Sequence, residues 1–108
     1  MLTTEHYLTI ILVINLYANN INISGTTTPE LYEREQQISG FQRYHKLDLE
    51  DIEIVMELLV FVKKEKEKRA AQETRDTRKE QEIKEEKRAL KEDLKERIER
   101  VKTLGALQ

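Results

Sequence analysis

His6 and His45 are the only imidazoles in this chain, and neither carries the ligand spacing of a metal site. His45 follows Tyr44 in a short connector, where an aromatic packing contact accounts for it better than catalysis. There is no cysteine, which excludes disulfides, thiol nucleophiles and thiolate metal centres. Ser24 and Ser39 sit in polar turn contexts with no base placed to activate them. Glu85-Glu86 and Glu92-Asp93 resemble paired carboxylates, but they lie in a densely charged stretch that reads as solvated helix surface. Gly25, Gly40 and Gly105 are far apart, so no loop can cradle a phosphate. No catalytic, cofactor-binding or metal-ligating residue emerges, and the expected class is non-enzymatic.

Charge separates along the chain. Residues 1–62 hold only three of the 19 basic residues (Arg34, Arg43 and Lys46) against nine of the 21 acids. The second half is mildly basic but mixes its signs. A nucleic-acid tail is usually a block of one sign. The densest basic run, residues 63–69, interleaves lysine with glutamate and carries no aromatic for base stacking, so nucleic-acid binding is not expected.

The sequence implies an all-α protein whose short N-terminal helices pack on the start of one long charged helix. Residues 1–47 form a helical head and connector, 48–104 the long helix with apolar ends, and 105–108 a C-terminal tail. The first helix spans Thr4 to Asn20. Its β-branched content would suit a strand, but its length favours helix. Apolar side chains point in nearly every direction around it, so it should be enclosed on most sides. A second helix is expected over 29–39, with Thr28 as N-cap, Pro29 in the first turn and Gly40 beyond its end. Residues 40–47 then form the connector.

From Asp48 to Leu104 the chain has neither glycine nor proline. Asp48 is placed as N-cap with Asp51 three residues on, and Leu47 and Ile52 form a hydrophobic staple. One continuous helix over this stretch would be about 80 Å long. The alternative is a break near 74–77, where Thr77 and Glu80 form a latent capping box. Heptad positions along the stretch are apolar at both ends and charged in the middle. Ile52, Val55, Leu59, Val62, Leu90, Leu94, Val101 and Leu104 are the candidate self-association residues. Pairs such as Val55 with Val101 and Val62 with Leu94 share a midpoint at residue 78, which favours antiparallel pairing of two copies. Leu8, Ile11, Leu12, Ile14, Leu31, Ile38 and Phe41 are expected to pack the head onto Ile52–Val62.

These features suggest a helical assembly, scaffolding or adaptor subunit of a larger complex, of the kind common in virus particles. It would act in the cytoplasm or within an assembled particle rather than as a secreted protein. The alternative is a small regulatory or inhibitory protein that docks its acidic head on a target protein. The third reading is a membrane tether through residues 7–23; the apolar run is short for a span and is interrupted by Asn15.

Overall fold

A computed structural model describes residues 4–45 and 47–106, with side chains for residues 6–43, 45 and 47–103. Its four elements are helices: α1 (Thr4–Asn20), α2 (Thr28–Tyr44), α3 (Leu49–Glu73) and α4 (Thr77–Ala106). There is no strand among the described residues, and the all-α class holds. Helix α3 is the hub against which α1, α2 and α4 all pack, while α1 also touches α4. The long dimension is 51 Å, well short of a continuous 48–104 helix.

That single helix is the main correction. It ends at Glu73, and α4 folds back antiparallel along α3 within the same chain. The reversal is a Schellman motif: Arg75 N–H donates to the Gln72 carbonyl at 3.2 Å and Asp76 N–H to the Ala71 carbonyl at 2.9 Å. Arg75 takes the left-handed position with φ 58°. A non-glycine residue there costs roughly 1–2 kcal/mol. Asp76 then serves α4 at once, because its carboxylate accepts the Lys79 N–H at 3.1 Å. The cap is thus Asp76, one residue before the expected Thr77. The cost of the turn is offset because a straight helix would leave Val55, Leu58, Val62, Leu94, Ile98 and Val101 in water, and all six are buried here.

Contacts across the hairpin run from Gln72–Glu80 through Glu65–Lys87 to Glu53–Arg97 and Glu50–Arg100, centring the register on residues 75–76 rather than 78. The shift follows from burial. Ile54, Leu58 and Phe61, off the expected seam, face the core with Leu94 and Ile98.

Helix α1 begins and ends where the sequence places it. Helix α2 does not stop at Gly40 but runs on to Tyr44, so the expected connector is mostly helix. Carrying on keeps Leu31, Ile38 and Phe41 on one face against the core. That burial outweighs the roughly 1 kcal/mol that glycine costs inside a helix. The cap of α2 is Thr27, whose hydroxyl accepts the Glu30 N–H at 3.4 Å, with Pro29 in the first turn. The α1–α2 loop is anchored by buried Ile21 and Ile23, and Arg69 donates to the Ile23 carbonyl at 3.4 Å and the Thr28 hydroxyl at 3.2 Å.

Candidate functional site

Most residues marked for self-association serve the chain's own core. Val55, Val62, Leu94 and Val101 are buried, and Leu59 and Leu90 are partly buried against them. Ile52 is half-buried. The Leu104 side chain lies outside the described residues.

The head divides unexpectedly. Leu31 and Ile38 are buried, and Ile14 and Phe41 pack against the same cluster. Leu8, Ile11 and Leu12 do not: they are 56%, 51% and 39% exposed. The buried face of α1 consists of Ile10 and Val13, with Ile14, Leu16 and Tyr17 flanking. Helix α1 lies across α3 and α4 as an outer layer, so only one of its faces can be covered. Because nearly every position is apolar, the sequence held no asymmetry from which to choose that face.

The result is an open strip. Leu8, Ile11, Asn15 and Ala18 follow one another at alternating spacings of three and four residues, and all four are exposed. No residue from Tyr7 to Pro29 is charged. The strip is therefore apolar or neutral over its whole length. Many heptad registers through residues 7–17 are apolar, so the sequence does not single out this strip; the packing of α1 on α3 and α4 does.

Charge is concentrated instead between α3 and α4. Glu65 is 1% exposed, and three cations of its own chain converge on it. Lys87 Nζ lies 2.5 Å away, Lys68 Nζ 3.0 Å and Arg69 Nε 3.2 Å. Burial alone would push the Glu65 pKa up, but the hydrogen bonds from Lys87 and Lys68 outweigh it and hold the group below the usual glutamate range. Burial lowers Lys87, with Glu65 opposing. At i,i+4 spacing, Glu65 and Arg69 are indistinguishable in the sequence from a solvated helix pair. Elsewhere in the basic run, Lys66 reaches Glu35 at 2.6 Å and sits over the Tyr32 ring, while Lys64 pairs with Glu86.

Nearer the open end, Arg97 bridges Glu53 at 2.5 Å, Asp93 at 2.9 Å and Glu57 at 3.4 Å. Glu57 Oε2 is buried and no donor faces it. Burial and the neighbouring Asp93 carboxylate raise the Glu57 pKa to about 7 against the pull of Arg97, so the protonated form can donate to Asp93. A pH dependence follows. The folded chain holds this proton where the unfolded chain has lost it, so stability falls as pH rises from about 4.5 through about 7. Urea midpoints should be higher at about pH 5.5 than at about pH 8, by on the order of 2 kcal/mol or more in stability. Asp51, raised to about 7 by burial, adds a slope of the same sign, so Glu57→Gln, which is always neutral, should remove about half of the total. A midpoint that rises between those pH values would contradict this arrangement. Below about pH 4.5 the order reverses, because Glu65, whose pKa is depressed, loses its pairing as it protonates.

The last cluster was not legible locally. His6, in the first turns of α1, lies with Nε2 2.7 Å from Asp48 Oδ2 and 3.9 Å from Asp51 Oδ2. Asp48 holds the N-cap position of α3, but its carboxylate turns to His6 and makes no capping hydrogen bond. Burial, then the Asp48 carboxylate, raises the Asp51 pKa to about 7. The neighbouring Asp51 carboxyl and then the His6 ring hold Asp48 below its usual value despite partial burial.

No protein-family model, curated protein or solved structure matches the chain. No helix among the described residues is long and apolar enough to cross a membrane.

Proposed function

We propose that the protein is a non-enzymatic helical assembly subunit whose copies associate through the outward face of α1. The carrying observation is the exposed strip of Leu8, Ile11 and Leu12 on a helix with no charged residue from Tyr7 onward. A second copy of the same strip is its natural complement. Two identical faces with charge would repel, whereas two neutral apolar faces can pack about a two-fold axis. Asn15, between Ile11 and Ala18, is the kind of single polar seam residue that sets register and copy number. Antiparallel packing also keeps the acidic starts of α3 in the two copies apart. The internal pairing of Lys64, Lys66, Lys68 and Arg69 supports a protein partner over nucleic acid, since their charge is already matched. Phosphate binding needs unmatched cations.

Light scattering of the pure chain over concentrations up to roughly 100 µM tests this reading. An oligomer is expected. Ile11→Asp should weaken it by at least about 100-fold, because a charge would enter an apolar interface. Helicity should be unchanged, since Ile11 lies outside the core. A wild-type chain that stays monomeric across the range would sink self-association and favour the regulatory reading, in which the same face meets a different protein.

A further inference from the structure

The group formed by His6, Asp48 and Asp51 joins the beginning of α1 to the beginning of α3 and is independent of the proposed interface. We propose that it binds a divalent transition-metal cation, zinc being the best fit, through the His6 imidazole and the two carboxylates. One ligand atom from each residue lies within 4.8 Å of the other two. The second observation is Asp51 itself. The residue is 2% exposed, and its Oδ2, the atom aimed at His6, has no hydrogen-bond partner. A buried carboxylate oxygen that faces no donor is costly, and a cation removes that cost.

The distances suit the ion. Zinc with ligand bonds of 2.0–2.2 Å in a tetrahedron sets its donor atoms about 3.3 Å apart. The separations here, 2.7 Å and 3.9 Å from His6 Nε2, straddle that figure, so small side-chain rotations would equalise them. An imidazole in the set favours zinc over magnesium or calcium, which take oxygen donors alone. Three protein ligands leave a fourth position for water. The positive end of the α3 dipole opposes a cation. Asp48, Glu50 and Asp51 place three acids in the same turn, however, more than offsetting a partial charge of about one half. A bound ion would clamp the first turns of α1 onto α3 and so fix the helix that carries the open strip.

Titration of zinc chloride into the full-length chain at about pH 7.5, by calorimetry and by thermal melting, tests this. One ion per chain with a dissociation constant in the micromolar range or tighter, and a raised Tm, is the expected result. His6→Ala and Asp51→Asn should each weaken binding by at least about 10-fold and remove the rise in Tm. His45→Ala should leave both intact, which separates this site from adventitious imidazole binding. Circular dichroism checks that each variant is folded, and His6→Gln is sufficient if Asp51→Asn is not. Equal zinc affinity in the wild type and the His6 variants would overturn the proposal. So would binding weaker than about 0.1 mM; the group is then a pair of neighbouring carboxyls with a histidine beside them.

Discussion

Replacing Glu65 with alanine should lower stability by about 3 kcal/mol, which for a chain of this size means a Tm lower by roughly 12–24 °C. The carboxylate is buried and receives Lys87, Lys68 and Arg69. Its removal strands Lys87, whose side chain is only 14% exposed and lies over the Phe61 ring. Lys68 is equally covered and loses the same partner, whereas Arg69 keeps its bonds to the Ile23 carbonyl and Thr28 hydroxyl, so the penalty falls on the two lysines, and most on Lys87, which burial already disfavours as a cation. The double variant Glu65→Leu with Lys87→Met should recover most of the loss, because a buried pair can be exchanged for apolar groups of similar volume at little cost. Urea denaturation of the two single variants and the double variant measures the coupling directly. A loss below about 1 kcal/mol for Glu65→Ala would mean that the cluster is effectively solvated.

Deleting residues 1–20 should have a larger effect. Helix α1 covers both α3 and α4, burying Ile10 and Val13 and partly burying Ile14, Leu16 and Tyr17. Burying two such side chains fully and three in part is worth on the order of 5–10 kcal/mol before entropy is subtracted. That is comparable to the whole stability of an ordinary domain, about 5–15 kcal/mol. The deletion also removes the Asn19 carbonyl and the Asn20 amide oxygen that anchor Arg34 of α2. The remainder should lose its cooperative melt and expose Val55, Leu58, Leu94 and Ile98, detectable as dye binding or aggregation. A truncated chain with unchanged helicity and Tm would show α1 to be an appendage. The tether reading would then return, to be tested by liposome flotation of the intact chain.

Local sequence alone determined the helical class, the span of α1 and the start of α3 after Asp48. Those features depend on capping residues, on helix propensity and on apolar periodicity, all of which act within a few residues. The tertiary structure decided the rest. The break after Glu73 had no glycine or proline to announce it, because the Schellman turn at Arg75 takes a strained residue that only the burial of both apolar ends repays. The exposed side of α1 was undecided because a helix that is apolar all round has no preferred inner face until its neighbours are placed. Glu65 and Arg69 look the same in sequence whether solvated or buried, since the spacing of an i,i+4 pair carries no record of what packs above it. His6 met Asp48 and Asp51 only because the folding of α1 onto α3 brought their first turns together across more than forty residues of chain, a juxtaposition that no local spacing encodes.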